Sequence, residues 1–375
     1  MTGQKESIVI VGAGLAGLTS AILLRRWGYR VTVVEKSQFP FHRVCGEYVS
    51  NEVLPFLSSL GIDIKQLNPS SISKLRVSSV TGRSIRLPLQ MGGFGISRYS
   101  FDHHLYKVAV SLGAEFLFDK ATNITFKEEC FSVELASAKV LTSDWVIGAF
   151  GKRSNLDQKL KRTFFYQRSP YMGVKYHIRT DLPVDLICLD NFEGGYCGTC
   201  KIEDDLYNLC YLSETKNLKA YGSIPEMESK LLYTNPHLKN IFENADFIFK
   251  QPDVINEISF SRKDLVKDHV LYCGDAAGMI TPLCGNGMAM AIRSAKILAE
   301  CIHDTAGATS LERRRRAEST YERKWSQQFA LRLSAGRYIQ SVFLDHRLSN
   351  IAVGALSTSK SLSRIVVRST HGTPF

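Results

Sequence analysis

The chain has 375 residues, of which 44% are hydrophobic and 22% are charged, so it contains enough apolar side chain for a full hydrophobic core. This composition excludes disordered and fibrous proteins. Nine scattered cysteines form no dense disulfide framework, and a reducing cytoplasm is therefore the expected compartment.

The net charge of +11 is concentrated towards the end of the sequence, where residues 301–375 hold 12 Lys or Arg against 5 Asp or Glu. Such a basic region fits a solvated helix face, an anionic membrane surface or an acidic carrier protein. No nucleic-acid-binding motif accompanies it. We expect no transmembrane or export segment, because the uncharged stretch at 8–24 is short and interrupted by three glycines.

Residues 7–35 have the pattern of a strand–helix–strand unit. The apolar run at 7–11 predicts a strand, the following helical stretch reaches Trp27, and Gly28 stops the helix before a second strand over 30–35. This is the length of about 30 residues that a dinucleotide-binding unit needs.

The turn in this unit carries the motif Gly12-Ala13-Gly14-x-x-Gly17. Gly12 makes the turn, Gly14 lets the backbone approach a pyrophosphate, and Gly17 lets the helix close on the strand. Glu35 ends the second strand, where it is expected to accept hydrogen bonds from ribose hydroxyls and to repel a 2′-phosphate, so the nucleotide is not NADP. The alternative is a glycine-rich turn in an unliganded α/β protein.

The middle of the sequence changes to short alternating runs. Residues 75–80 and 84–88 predict a hairpin, 100–112 a helix and 139–149 a strand. Between 171 and 260 the pattern is mostly strand-like, which predicts an antiparallel-sheet domain inserted into the nucleotide-binding one.

A second ligand-binding motif follows the strand predicted at 269–273. Gly274-Asp275 places a carboxylate at the carboxyl end of that strand, where the hydroxyls of a flavin ribityl chain are suitable donors. The segment 282–288 then breaks the chain and begins a helix over 287–303. The positive end of that helix is suited to the negative charge of a reduced flavin ring.

With these motifs the sequence resembles the p-hydroxybenzoate hydroxylase superfamily of FAD enzymes, which includes aromatic monooxygenases, geranylgeranyl reductases and flavin-dependent halogenases. The resemblance covers most of residues 7–305. Its motifs are Gly12-x-Gly14-x-x-Gly17 with Glu35, Arg98 before a helix, Asp144 to Arg153, and Gly274-Asp275 with Pro282-x-x-Gly285-x-Gly287.

The resemblance implies FAD as the cofactor and assigns its contacts. The segment Phe39 to Glu47 looks like the one that places Arg43 near the adenosine and Cys45 near the ring, while Arg98 would contact the ribityl or ring region. Cys45 is the catalytic candidate, with a buried structural thiol as its alternative. The residues expected to bind FAD are Gly12, Ala13, Gly14, Gly17, Glu35, Lys36, Arg43, Cys45, Arg98, Gly274, Asp275, Pro282, Gly285, Asn286, Gly287 and Met288.

The sequence departs from the family pattern at two places. Phe150 stands where relatives have an Asp implicated in holding FAD and the nicotinamide donor, which puts the docking of NAD(P)H in question. The stretch 195–202 lacks the tryptophans of the halogenase motif and the aromatic strand of the reductases, so halogenation is not expected and prenyl reduction loses a supporting feature.

A Cys-x-x-Cys pair at Cys197 and Cys200 invites a metal or redox interpretation. In a strand, residues three apart point to opposite faces, so these thiols can neither bridge nor chelate. No second pair completes a four-ligand zinc site, and we expect no bound metal.

The predicted fold is therefore α/β, or α+β overall, with a Rossmann-type FAD-binding domain, an inserted antiparallel-sheet substrate domain and a helical C-terminal part. The FAD-binding domain is expected to be discontinuous. It is assigned to residues 1–74, 98–165 and 262–306, the substrate domain to 75–97 and 166–261, and the basic helical region to 307–375.

By the resemblance, the expected activity is an NAD(P)H-dependent monooxygenase of a hydrophobic or aromatic small molecule, acting through a flavin C4a-hydroperoxide. The alternatives are an FAD-dependent reductase of prenyl-type double bonds, and a non-redox or structural use of FAD. The substrate is expected to be free, carrier-bound or membrane-associated, and the protein cytoplasmic or peripheral to the membrane.

Overall fold

The computed structural model describes residues 6–305, 310–358 and 371–375. Its strands are β1 (Ser7–Val11), β2 (Arg30–Glu35), β3 (Tyr48–Ser50), β4 (Ser70–Ser78), β5 (Ser84–Gly95), β6 (Glu115–Phe118), β7 (Ala121–Lys127), β8 (Cys130–Leu135), β9 (Val140–Ser143), β10 (Trp145–Gly148), β11 (Tyr171–Arg179), β12 (Leu186–Phe192), β13 (Gly195–Lys201), β14 (Tyr207–Glu214), β15 (Asp246–Phe247), β16 (Asp253–Ile258), β17 (Val266–Lys267) and β18 (Val270–Tyr272). Its α-helices are α1 (Leu15–Arg26), α2 (Leu54–Ser59), α3 (Arg98–Ser111), α4 (Asn155–Lys159), α5 (Thr215–Tyr221), α6 (Ile224–Lys230), α7 (Pro236–Asn244), α8 (Gly287–His303), α9 (Ser310–Leu344) and α10 (His346–Thr358).

The first sheet has six strands in the order β17–β18–β10–β1–β2–β6, and all neighbours are parallel except β17 and β18. β1 and β10 are almost entirely buried, because a parallel sheet is covered on both faces and its strands are therefore apolar runs. α1 packs against α3 and α8, while the small sheet of β7, β8 and β9 contacts β1 and β10.

The second sheet has nine strands, in the order β15–β11–β14–β13–β12–β4–β5–β3 with β16 beside β11. Leu75, Leu189 and Leu212 pack on one face in a cluster with residues from α9 and α10. Val174, Leu209 and other residues of alternate positions pack in a separate cluster with α6 and α7. The sheet therefore has one face towards the C-terminal helices and the other towards the α5–α7 region.

The predicted fold class is confirmed: a Rossmann-type sheet, a second sheet formed by chain inserted between its strands, and helices at the end of the described chain. Three details differ. β5 extends to Gly95, well past the predicted end at residue 88, and β3 and the start of β4 join the second sheet before residue 75. The sheet is not wholly antiparallel, because β4 and β12 pair in parallel. Residues 70–74 are mostly polar, so alternation alone does not reveal them as a strand. The domain division itself stays a prediction.

Part of the basic region packs on the body of the protein, whereas Arg315, Arg316, Arg323, Arg337 and Arg347 are exposed. In α9, Arg313 forms an ion pair with Glu6, and Arg314 donates to the carbonyl of Asp144. Trp325 and Phe329 of the same helix are buried, whereas Tyr338 is exposed. Within the described ranges, no helix is both long enough and apolar enough to cross a membrane.

A buried acid, Glu228 of α6, lies against the second sheet. Its Oε1 accepts hydrogen bonds from the hydroxyls of Tyr176, at 3.0 Å, and Tyr211, at 2.8 Å. Burial raises the pKa of Glu228 to about 7, and the two hydrogen bonds only partly oppose that shift. The Glu228 carboxyl of the folded protein thus stays protonated up to about pH 7.

We expect the Glu228→Gln variant to be more stable than the wild type at high pH only. The pKa is about 7 in the folded state against 4.5 usually, so the folded state binds more protons between these values and its stability falls as pH rises through them. Urea unfolding should show a gain of about 2 kcal/mol at pH 8 that disappears near pH 4.5. Glu226→Gln, at an exposed position of the same helix, is the control; an equal gain at both pH values contradicts the prediction.

Candidate cofactor site and substrate cavity

The two ligand-binding motifs meet at one edge of the six-stranded sheet. β1, β2, β10 and β18 are parallel, and their carboxyl ends lead into Gly12, Ser37, Ala149 and Gly274 respectively, within two residues of each strand end. In open α/β sheets, ligands bind at this edge. The fold therefore brings together residues that lie more than 250 positions apart in the sequence.

The glycine-rich turn leaves space at one position only. A Cβ on Gly12, whose φ is +102°, would lie 2.5 Å from the carbonyl oxygen of Ala149, and a Cβ on Gly17 would collide with the carbonyl of Gly12. A Cβ on Gly14 would meet only Arg98 Nη2, at 3.5 Å. Gly14 precedes α1, whose N-terminus has no side-chain cap and no acidic residue in its first turn. This open, positive helix end is suited to a pyrophosphate.

Glu35 lies at the predicted strand end, but its carboxylate is held by the protein itself. Its Oε2 accepts from the Ala13 backbone N–H at 2.9 Å and lies 3.2 Å from Arg43 Nη2. Arg43 Nε also lies 3.3 Å from Asp102. Lys36 is exposed immediately after the strand. Arg43 is thus placed beside Glu35, where the adenosine end of a dinucleotide is expected; its contact and that of Lys36 stay predictions.

Arg98 forms a bidentate ion pair near the turn. Its Nε and Nη2 both donate to the carboxylate of Asp102, each at 2.6 Å. Burial acts to lower the pKa of Arg98, but Asp102 outweighs it and the pKa lies above its usual value. Sequence analysis missed Asp102, although its position four residues after Arg98 on a helix was an available signal.

Two buried cations hold the Gly274-Asp275 turn. Lys263 Nζ donates to the carbonyl of Asp275 at 2.7 Å, and Arg162 Nη2 donates to the carbonyl of Ala276 at 2.8 Å. Burial lowers the pKa of Lys263 to about 8. No described residue donates a hydrogen bond to the Asp275 carboxylate, whose pKa is raised by burial against the opposing charges of Lys263 and Arg98. The turn thus keeps a carboxylate for a ligand with hydroxyl donors.

The loop before α8 ends in a left-handed residue, Gly285, with φ +63°. It is preceded by Pro282 and followed by Asn286, Gly287 and Met288 at the start of the helix. This helix end also has no side-chain cap and no acidic residue in its first turn. The helix itself lies close to the Gly274 turn, since a Cβ on Gly274 would lie 2.8 Å from Ala16 of α1 and 3.7 Å from Ala291 of α8.

These observations fit a flavin dinucleotide. Two uncapped helix N-termini, the open space at Gly14 and the charge of Arg98 suit its phosphates and electron-rich ring, and the carboxylate of Asp275 suits its ribityl hydroxyls. Phe150, at the departure from the family pattern, packs edge-to-face on Tyr272 with ring centroids 5.8 Å apart.

A buried carboxylate, Glu47, fixes the segment that carries Arg43 and Cys45. Its Oε1 accepts from Lys175 Nζ at 2.6 Å and from the Arg98 backbone N–H at 2.8 Å, and its Oε2 lies 2.8 Å from His177 Nε2. Lys175 also donates to the carbonyl of Arg43. Burial acts to raise the pKa of Glu47, but Lys175 and His177 outweigh it and the pKa is lowered. No sequence motif pointed to Lys175 or His177.

Cys45 is half-buried two residues before this carboxylate. Burial raises the pKa of its thiol, although the charge of Arg98 acts in the opposite direction. A thiol with a raised pKa is a poor nucleophile at neutral pH. The structure thus places Cys45 beside the site without activating it.

The other cysteines show no metal-binding arrangement. Cys197 packs in the cluster beside α6 and α7, whereas Cys200 packs on the opposite face of the sheet, as the geometry of a strand predicts. Cys200 Sγ lies 3.6 Å from the carbonyl of Gly46. In the described part of the chain, no group of three or more His, Cys, Asp or Glu side chains is placed to hold a metal ion.

An apolar cavity lies between the second sheet and the C-terminal helices. The sheet contributes Leu75, Val77 and Leu189, and α9 and α10 contribute Ile339, Phe343 and Leu356. Cys284 and Gly285, from the loop before α8, complete part of the wall. The cavity and the cofactor site thus share one loop.

Comparisons with known proteins identify the same cofactor. A protein-family model described as an FAD binding domain matches residues 5–324. Kynurenine 3-monooxygenase from Christiangramia forsetii is 25% identical, over 79% of this chain and 73% of its own length. Digeranylgeranylglycerophospholipid reductase from Thermoplasma volcanium is 22% identical, over 79% of this chain and 78% of its own.

Among solved structures, a flavin-dependent brominase superposes with a TM-score of 0.78 at 20% identity, covering 98% of this chain and 93% of its own. This likeness shows the shared fold. Together the matches confirm the resemblance to a superfamily that contains monooxygenases, geranylgeranyl reductases and halogenases.

The Gly14→Val variant should lose FAD without losing its fold. The new side chain enters open space that only a ligand fills, so we expect the dissociation constant for FAD to rise at least about 100-fold while the melting temperature of the apoprotein hardly changes. Fluorescence titration of the apoprotein with FAD measures this. Gly17→Val is the contrast, because its collision with Gly12 should destabilise the apoprotein itself. Unchanged FAD affinity in Gly14→Val would mean that the dinucleotide does not pass this turn.

The Lys175→Met variant should be strongly destabilised, because it leaves the buried Glu47 carboxylate without its ammonium partner. We expect a loss of about 3–5 kcal/mol in urea unfolding, part of which the double variant Lys175→Met/Glu47→Gln recovers. Lys74→Met is the control, since Lys74 pairs with Asp185 at the surface of the same sheet. Equal stabilities of Lys175→Met and the wild type would remove the role given to this ion pair.

Proposed function

This chain belongs to the FAD binding domain family, and from that premise we propose that it is a monooxygenase that hydroxylates an apolar or aromatic small molecule with NADH or NADPH as electron donor. The observation that carries the proposal is the apolar cavity whose wall includes Cys284 and Gly285. Because the next turn of chain begins α8 at the cofactor site, a molecule in the cavity lies beside the loop that approaches the flavin.

When bound, FAD supplies the chemistry of the reaction: it accepts two electrons from the nicotinamide and passes them to dioxygen. The overall reaction converts the substrate, one reduced nicotinamide, one proton and one dioxygen into the hydroxylated product, oxidised nicotinamide and water. The chain itself supplies binding, orientation and electrostatics.

The first contribution of the protein is electrostatic stabilisation of the reduced cofactor. The uncapped N-terminus of α8 would stabilise negative charge on the reduced cofactor, and Arg98 would act in the same direction from the other side of the turn. Lys263 and Arg162 keep the Asp275 turn in place by holding its carbonyls.

The second contribution of the protein is the apolar lining of the cavity. Its walls are mainly aliphatic and aromatic, with Tyr48, Cys284 and His371 as the polar members. Burial raises the pKa of Tyr48 and of Cys284, so these two side chains stay neutral. An apolar wall without ionised thiol or phenol excludes water and spares the reactive cofactor from hydrolytic loss. The substrate class that fits such a wall is apolar.

A second candidate is an FAD-dependent reductase of prenyl-type double bonds. The observation in its favour is the aliphatic character of the cavity, where leucines, isoleucines and valine outnumber aromatic rings. Such a wall suits an isoprenoid chain as well as a ring. Halogenation is not proposed, because β13 (Gly195–Lys201) carries no tryptophan.

Isotope labelling of the product distinguishes these reactions. The FAD-loaded protein is reduced anaerobically with NADH or NADPH, incubated with kynurenine or geranylgeraniol, and then exposed to ¹⁸O₂. A product that is heavier by one ¹⁸O atom supports the monooxygenase. A product with two additional hydrogens, formed without oxygen, replaces it with the reductase, and a flavin that neither nicotinamide reduces points to another donor or a non-redox role.

The Leu189→Trp variant should impair the use of substrate without impairing the binding or reduction of FAD. Its indole fills the cavity, so we expect product formation to fall at least about 50-fold while FAD content and the rate of flavin reduction stay within about twofold of the wild type. Val184→Trp, at an exposed position just before β12, is the matched control. Wild-type turnover in Leu189→Trp would place the substrate elsewhere.

A further inference from the structure

We propose that the segment 371–375 is the closing wall of the apolar cavity and limits the size of the substrate that the cavity accepts. The inference rests on the proposed function, because it takes the cavity as the substrate site. The position of this segment is defined by its own contacts with the body of the protein.

The far end of the segment is anchored by backbone and ring contacts. The Phe375 N–H donates to the carbonyl of Glu52 at 3.3 Å, and Arg293 Nη1 donates to the carbonyl of Thr373 at 3.0 Å. The Phe375 ring stacks on Phe56 with centroids 5.5 Å apart and an interplanar angle of 29°. The Arg293 guanidinium lies 4.8 Å from the centroid of the same ring. The ring of Phe375 is therefore the main side-chain anchor.

The middle of the segment fits closely over a buried acid. Glu52 is 1% exposed and lies 3.9 Å from Arg293 of α8 and 3.8 Å from Arg332 of α9. A Cβ on Gly372 would collide with the Glu52 carboxylate and lie 2.7 Å from Arg332 Nη1. Only glycine lets the chain pass this close, so the approach of the segment depends on this residue.

The near end of the segment reaches the cavity. His371 lines it together with Tyr48 and Gly285, and the rings of His371 and Tyr48 are 6.5 Å apart in an edge-to-face arrangement. The imidazole thus belongs to the wall on the side of the cofactor loop. Displacement of the segment would remove this part of the wall, enlarge the cavity and admit water.

The consequence for specificity is geometric. With the segment docked, the cavity wall includes His371, which is not part of a helix or strand. Small apolar molecules pack against the lining of the cavity, whereas longer ones meet His371. Variants that undock the segment should bind small apolar molecules more weakly and exchange them faster.

The test is binding of N-phenyl-1-naphthylamine, a neutral apolar fluorophore, to the FAD-loaded protein. Leu189→Trp, which fills the cavity, should abolish binding and so locate the probe. Phe375→Ala removes the anchor ring, and Gly372→Val forces the segment away from Glu52 by a different route. Each should weaken binding at least about 10-fold and increase iodide quenching of the bound probe. Tyr338→Ala, which removes an exposed ring from α9, is the matched control and should stay within about twofold of the wild type.

The outcomes separate this inference from the proposed function. Wild-type binding and quenching in both Phe375→Ala and Gly372→Val, with binding lost in Leu189→Trp, would overturn the closing wall and leave the substrate cavity intact. Unchanged binding in Leu189→Trp would overturn both. Weakened binding in the two segment variants, together with no labelled or reduced product, would uphold the wall and refute the proposed reaction. Melting temperature and FAD absorbance of each variant show that the fold is retained.

Discussion

The structure depends on a single buried carboxylate, that of Glu47. A charge removed from water must be matched by donors, and Glu47 has three: the ammonium of Lys175, the imidazole of His177 and the backbone N–H of Arg98. These donors come from the second sheet and from the start of α3, so the carboxylate joins three parts of the chain at one point. Its own backbone is in the left-handed region, with φ 53°. The loop that carries Arg43 and Cys45 is consequently held in one position against both sheets.

At the cofactor site, too, buried charged groups are matched by partners, and here most of the buried groups are cations. Buried cations hold backbone carbonyls at the Asp275 turn, and Asp102 holds Arg98 at the glycine-rich turn. Among the residues that the structure describes, two helix N-termini without a side-chain cap and the Asp275 carboxylate lie at the carboxyl edge of the first sheet. A dinucleotide with a pyrophosphate at one position and a polyhydroxyl chain at another matches this pattern. The charged and hydrogen-bonding groups that a ligand could contact thus lie at the cofactor site, whereas the lining of the adjoining cavity is mainly apolar.

That division explains why the second sheet has two unlike faces. One face packs against α6 and α7, and two of its tyrosines, Tyr176 and Tyr211, donate to the Glu228 carboxyl of α6. The other lines a cavity that α9, α10 and the cofactor loop complete. Successive residues of one strand point to opposite faces of the sheet. Cys197 and Cys200, three residues apart on β13, therefore pack in different clusters. The walls of the cavity therefore come from α9 and α10 as well as from the sheet.

The sequence by itself determined the strand–helix–strand unit at 7–35, the helix at 287–303 and the motifs whose resemblance to a known superfamily implies FAD. These are local properties, because glycine spacing, apolar periodicity and strand-end carboxylates act over a few residues. Only the tertiary structure decided the partners of Glu47, the cations behind Asp275 and the walls of the cavity, because those groups lie far apart in the chain. Lys175 is 128 residues from Glu47, and nothing in its surroundings marks it as a partner until β11 is folded against the loop. The parallel pairing of β4 with β12 was hidden for the same reason, since pairing depends on which strands meet in space.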